Sequence, residues 1–307
     1  MKASDQGTRK AIAAIILVVL ILGGTIFGFI LLGVAAPNSN KMQVVASFYP
    51  LYYFSSQIGG DRVEVHTLIP DNVEPHSFEP TPVDLIMVSK AKILVYNGEG
   101  FEPWISSFIS AVDNPSLIQV DTSKNIDPLH VQGVADPHFW IDPLTAKSQV
   151  NNILSAFVTA DPANATYYQE NAANLNFRLD ALNNDFVTGL ANRTKNAIIT
   201  THEGFNYMAA RYQFEAYGAI GISGDQQPTP QDLIRLTNLV DQLQLHYVFS
   251  EPVFSDAVIE TISKETGTQV LVLDGAHGRS GVHAGMDYFE IMRANLENLI
   301  IGLEVTL

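Results

Sequence analysis

Seven residues occur twice in this chain with a single change, as Pro80-Thr81-Pro82-Val83-Asp84-Leu85-Ile86 and again as Pro228-Thr229-Pro230-Gln231-Asp232-Leu233-Ile234. Each copy supplies a threonine N-cap, a proline at the first helical position and an acid near the helix N-terminus, so each opens a helix. Each also follows a strand and a loop and precedes a helix and a strand. In the first half, apolar runs at 42–47, 63–69, 93–96 and 117–120 alternate with helical spacing at 51–58, 81–90 and 101–112. In the second half, strands at 197–200, 214–222, 247–250 and 270–273 alternate with helices at 204–212, 230–243 and 255–266. A closing amphipathic helix at 287–302 covers the last strand. Between the halves, 144–190 is helical almost throughout, interrupted at Asp161-Pro162, with Phe157, Tyr168, Leu175, Leu179, Leu182, Phe186 and Leu190 forming its apolar stripe. The expectation is an α/β fold of two lobes, each with a mainly parallel four-stranded sheet flanked by helices, bridged by one long helix.

Residues 11–36 carry no charge and are nearly all apolar, longer than a signal-peptide core and long enough to span a bilayer. Lys2, Arg9 and Lys10 precede them against a single Asp5, which places the N-terminus in the cytoplasm and the remainder outside. The expected organisation is a cytoplasmic tail at 1–10, a transmembrane anchor at 11–36, a tether at 37–41, an N-terminal lobe at 42–161, a connecting helix at 162–190 and a C-terminal lobe at 191–307. Val34-Ala35-Ala36 offers the alternative of a cleaved signal peptide. Asn164 and Asn192 begin sequons, which suit an external location.

Lysine plus arginine number 17 against 32 aspartate plus glutamate, so a nucleic-acid partner, which needs a basic face, is disfavoured. There is no cysteine. That removes disulfides, thiolate nucleophiles and thiolate metal sites together, so any metal must be held by nitrogen and oxygen.

The residues with metal chemistry lie in stiff loops. Glu74-Pro75-His76 and Asp136-Pro137-His138 repeat one acid-Pro-His order, and proline restricts both itself and the residue before it. In open parallel sheets ligands gather beyond the carboxyl ends of the strands. His202, Glu251 and Asp274 each follow a strand-like run at such a place, and His76 and His138 come from comparable loops in the first half.

At this point the sequence resembles the cluster A-I metal-binding proteins of ABC importers, the family of zinc carriers and their manganese relatives. The likeness runs from about residue 44 to 299. It rests on Ser47-Phe48-Tyr49-Pro50, on Glu74 to Pro80, on Asp136 to Pro143, on Thr201-His202-Glu203-Gly204-Phe205-Asn206-Tyr207 and on Glu251-Pro252-Val253-Phe254-Ser255. The resemblance implies two α/β lobes with the metal between them and His76, His138, His202 and Asp274 as its ligands. Three imidazoles and a carboxylate suit Zn²⁺ better than oxygen-seeking Mn²⁺. Manganese members tend to carry glutamate where this chain has His202, so zinc is the expected cargo and manganese the alternative. Glu203 or Glu251 is expected behind a ligand histidine, accepting its free N–H; a solvated or helix-capping role is the alternative for each. Two departures stand out. The histidine-rich loop common between the first two ligands is reduced to His130, and the lipid-bearing cysteine is replaced by the apolar segment. His277 and His283, in a glycine-rich loop after Asp274, read as solvated or as a weak accessory site. His66 and His246 read as structural.

The implied protein is a monomer on the outer face of the cytoplasmic membrane, capturing a divalent metal ion and delivering it to a membrane permease. A metallohydrolase is the rival, but His202-Glu203-Gly204-Phe205-Asn206 has asparagine where H-E-x-x-H needs its second histidine. An adhesin-like surface protein with a structural metal is a further rival. Metal binding is expected to weaken as ligand histidines protonate below roughly pH 6.5.

Overall fold

The computed structural model describes residues 41–224 and 228–306. The expected anchor at 11–36 lies outside them, and among the described residues no helix is long and apolar enough to cross a membrane. Strands β1 (Met42–Ala46), β2 (Val63–Thr67), β3 (Ile93–Tyr96) and β4 (Ile118–Asp121) form a parallel sheet in the order β2-β1-β3-β4. A short antiparallel hairpin follows, β5 (His130–Val131) with β6 (Val134–Ala135). Then β7 (Ala197–His202), β8 (Glu215–Ile220), β9 (Tyr247–Ser250) and β10 (Gln269–Val272) form a second parallel sheet in the order β10-β9-β7-β8. Read from its own first strand, the second sheet repeats the order of the first.

The helices are α1 (Tyr49–Gly59), α2 (Pro82–Ser89), α3 (Ile105–Ala111), α4 (Pro143–Ala160), α5 (Ala165–Gly189), α6 (Asn206–Tyr212), α7 (Pro230–Leu243), α8 (Ala257–Thr266) and α9 (Tyr288–Gly302). The repeated heptapeptide opens α2 and α7, each between the second and third strands of its sheet. Both starts are reciprocal caps. Asp84 Oδ2 accepts the Thr81 N–H at 2.6 Å while Thr81 Oγ1 accepts the Asp84 N–H at 3.4 Å. The second copy has 3.0 and 3.2 Å for the same pair of bonds at Thr229 and Asp232.

The long helical pattern breaks where proline and aspartate meet. The Asp161 carboxylate accepts from Asn164 Nδ2 and from the Tyr168 hydroxyl, both at 2.7 Å, so a tight turn separates α4 from α5. Tyr168, Ala172, Leu175, Leu179, Leu182 and Phe186 are buried along α5 at steps of three and four. Their face packs on α1, α4 and α9, which gives the first sheet and the long helices one continuous core. Adjacent strand residues point to opposite faces. Ile198 and Phe249 therefore join that core, while Ile199 and Val248 enter a smaller one under α7 and α8 with Leu236, Val240, Ile259 and Ile262.

One expected element is shorter than its apolar spacing suggests. The helix anticipated from 101 begins only at Ile105, because the buried Glu102 carboxylate accepts the N–H groups of Asn97 at 2.8 Å and Gly98 at 3.1 Å and the Ser47 hydroxyl at 2.6 Å. That carboxylate folds residues 97–102 into a loop, and the loop carries Phe101.

Candidate metal centre

Strand register builds half of the site. In the second sheet Thr200 lies opposite Phe249, so two residues further on His202 stands beside Glu251. Glu251 Oε1 accepts the His202 N–H at 2.8 Å, and the two carboxylate oxygens lie 2.8 and 2.7 Å from His202 Nδ1. The other half repeats this with Asp136, whose Oδ1 accepts the His138 N–H at 2.9 Å and lies 2.8 Å from His138 Nδ1. A carboxylate on Nδ1 fixes the tautomer with its proton there and leaves the Nε2 lone pair free. Both free Nε2 atoms turn toward each other, 3.1 Å apart, in rings with no solvent exposure. Two nitrogens on a common tetrahedral zinc, each ~2.0–2.1 Å from it, are about 3.3 Å apart, so the pair sits at the spacing of one edge of that tetrahedron.

A third ring arrives from a position expected to be solvated. His277 is 3% exposed, and His138, His202 and His277 each offer a nitrogen within 4.8 Å of the others. Neither His277 ring nitrogen has a hydrogen-bond partner among the described residues. The turn that aims it inward passes through Ala276, which is buried and has φ +52°. Asp274 holds this turn, its Oδ1 accepting the Ala276 N–H at 2.8 Å while its Oδ2 lies 2.8 Å from His283 Nδ1. Asn295 on α9 clamps the same residue, with Oδ1 accepting the Asp274 N–H and Nδ2 donating to its carbonyl, each at 2.8 Å. Thus the Asp274 carboxylate is committed to shaping the loop, and His277 is the residue the loop presents. Both His277 and His283 are therefore buried, where the sequence suggests solvated side chains. Trp140 Nε1 donates to Gly275 O at 2.7 Å and pins the turn against the first half of the chain.

His76 borders the cluster from the opposite loop. Its ring centroid is 5.6 Å from that of His138, and its buried Nε2 has no partner among the described residues. Glu74 shapes that loop by accepting the N–H groups of His76 and Ser77 at 2.9 and 2.8 Å. Phe101 walls the site at 4.7 Å from the His76 ring and 6.1 Å from that of His138. Burial lowers the pKa of His76 to about 2, with the neighbouring His138 and His202 adding to the effect. Burial likewise lowers His277 well below the ordinary imidazole range, again with the other histidines adding. His138 is also lowered, burial outweighing the opposing Asp136 carboxylate. Burial by itself would raise Asp136, but the charge and hydrogen bonds of His138, with Asn206, bring it below the usual range. For these three histidines, then, protonation in the folded protein falls below the pH 6.5 anticipated for ordinary imidazoles.

Of the anticipated residues, the structure brings His138 and His202 together and sets His76 beside them, while Asp274 stands behind the loop. Glu251 contacts a histidine as expected. Glu203 does not; it lines a cavity of 390 Å³ that also borders His76, and its carboxyl is raised by burial and by Asp136. The sequence marks Asp136 only through the repeated acid-Pro-His order. His130 is exposed on its hairpin, His66 is partly exposed near Glu64, and His246 lies 2.6 Å from Glu304 Oε1.

Residues 44–301 match the family described as "ZnuA: Zinc-uptake complex component A periplasmic". A high-affinity zinc uptake system protein ZnuA of Bacillus subtilis is 32% identical over 284 residues, covering 87% of this chain and 89% of the relative. The zinc-bound ZnuA-like domain of Streptococcus pneumoniae AdcA superposes with a TM-score of 0.76 at 28% identity, covering 86% of this chain and 99% of that one. The laminin-binding protein Lmb of Streptococcus agalactiae, described as having adhesin and metal-transporting activity, superposes with a TM-score of 0.79 at 28% identity over 86% and 99%. With the match spanning both sheets and every histidine of the cluster, the chain belongs to the zinc-uptake complex component A family.

Proposed function

We propose that this protein is the extracytoplasmic zinc-binding component of an ABC importer, holding Zn²⁺ among His138, His202, His277 and His76 and passing it to a membrane permease. The observation that carries the reading is the 3.1 Å separation of two carboxylate-oriented Nε2 atoms, with the unpartnered His277 ring beside them. Four neutral imidazoles suit zinc and fit manganese, which favours carboxylate and water, poorly. They also leave no coordination position for the water a zinc hydrolase needs, which supports a carrier over an enzyme. The finer placement, on the outer face of the membrane through an anchor at residues 11–36, rests on the sequence. Calorimetric titration of the full chain with Zn²⁺, repeated with Mn²⁺ in competition, tests the proposal. One equivalent of zinc bound in preference to manganese supports it; no zinc binding, or a preference for manganese, overturns it.

A further inference from the structure

Asp136 holds His138 with one carboxylate oxygen only. Its other oxygen, Oδ2, accepts from Asn206 Nδ2 at 3.0 Å, and Asn206 is the first residue of α6, directly after the turn that follows His202. The same Asn206 amide donates to Glu203 O at 3.1 Å, which fixes its orientation. The next residue, Tyr207, donates its hydroxyl to Asp136 O at 2.9 Å and accepts the Leu129 N–H at 3.0 Å. One buried carboxylate therefore orients a candidate ligand from the first half of the chain and is bonded through its second oxygen to the second half.

We propose that Asn206 couples the closure of the cleft to the orientation of His138, acting through Asp136 as a positioning residue for metal retention. The inference rests on the carrier reading above. When α6 withdraws from the 136–142 segment, Oδ2 loses its donor. The carboxylate then keeps only its Oδ1 contacts with the His138 N–H and Nδ1, and the His138 imidazole is held less firmly in the orientation that aims its Nε2 at the metal. Opening of the cleft and loosening of a ligand become one event. A carrier needs such a link, since tight holding and release at a permease otherwise conflict.

A second bridge between the same two segments provides the control. Arg211, near the end of α6, bonds both Asp142 carboxylate oxygens at 2.7 to 3.1 Å, and Asp142 caps α4 without touching any histidine of the cluster. Loss of Arg211 weakens contact between the segments but leaves the Asp136 carboxylate intact.

The test is the rate of zinc release from the loaded full chain into excess chromophoric chelator, with Tm measured alongside, for the wild type and for Asn206→Ala, Asn206→Asp and Arg211→Ala. Loss of the partner behind a metal-bound histidine is worth ~10-fold to 100-fold in affinity. Asn206→Ala leaves Asp136 on His138 and is expected to release zinc faster by about threefold to tenfold, and Asn206→Asp faster still, because it sets a second carboxylate against Asp136. Arg211→Ala is expected to lower Tm and to speed release less than Asn206→Ala does, because it weakens the contact between the segments without removing the donor to Asp136. Asn206→Ala releasing zinc at the wild-type rate, or no faster than Arg211→Ala at matched loss of Tm, overturns the coupling. Wild-type protein that takes up no zinc overturns the carrier reading instead, so the two failures are distinct.

Discussion

Gly204→Ala isolates the His202 ring with one methyl group. The backbone at 204 is not in the left-handed region, so alanine meets no torsional objection and the effect is one of space alone. A Cβ at this position would lie 2.3 Å from both Cε1 and Nε2 of His202, where ordinary contact begins near 3.4 Å. The ring has little room to retreat. Glu251 holds its Nδ1, the Phe254 ring lies 4.7 Å away and that of His138 5.0 Å away. The imidazole must therefore swing, and the atom displaced is the Nε2 assigned to the metal. Overpacking costs about 1–3 kcal/mol of stability. Displacing a ligand costs at least as much as losing its supporting partner, at least ~10-fold to 100-fold in affinity, or about 1.4–2.7 kcal/mol. Calorimetric zinc titration combined with a circular-dichroism melt separates the two effects. A folded Gly204→Ala protein binding zinc within about twofold of wild type would show that His202 Nε2 does not face the ion.

Stability should also depend on pH in a defined direction. His76, His138 and His277 are lowered in the folded state, so the unfolded chain takes up protons first; their stabilising share is whole above pH ~6.5 and is lost as pH falls. At pH 5.5 an ordinary imidazole at His76 in the unfolded chain favours unfolding by about 1.4 kcal/mol, with His138 and His277 adding in the same direction, read as a fall in the urea midpoint of the zinc-free protein; a midpoint unchanged from pH 7.5 to 5.5 contradicts the assignment. His277→Leu removes a buried ring whose nitrogens have no hydrogen-bond partner, and relief of such a group is worth about 1–3 kcal/mol. The variant should melt higher without metal yet bind zinc at least about tenfold more weakly, as expected where a site trades stability for function; a lower melt with undiminished binding would refute this. Asp274→Ala should lower stability by about 2 kcal/mol through loss of its bonds to Ala276 and His283, measured by denaturant titration. Thr81→Ala and Thr229→Ala should each cost about 1 kcal/mol as lost helix caps, and nearly the same amount as one another.

The features legible in the sequence are those set by local chemistry. The Pro-Thr-Pro-x-Asp-Leu-Ile repeat marks two helix starts, and the second sheet then repeats the strand order of the first. The acid-Pro-His tripeptides bring two histidines to the cluster, because proline stiffens the loop and the acid binds back onto it. The part left hidden depends on backbone turns rather than on residue type. Asp274 and His277 are three residues apart, and both are plausible ligands; with Ala276 in the left-handed region and Asp274 bonded to that turn, His277 is the one turned toward His138 and His202. Burial of His277 also requires Trp140, 137 positions away, to bond Gly275, and no local pattern reports that. Glu251 is legible as a polar residue following a strand, but that it is His202 it holds depends on the strand pairing. Glu102 defeats the apolar periodicity of its segment by gathering backbone N–H groups into a loop.

Zinc K-edge absorption spectroscopy of the full chain loaded with one equivalent of Zn²⁺ bears most directly on the four-histidine centre. The structure predicts a four-coordinate shell with nitrogen at ~2.0–2.1 Å and scattering from four imidazole rings. A shell with two or fewer imidazoles, completed by carboxylate or water, would contradict it.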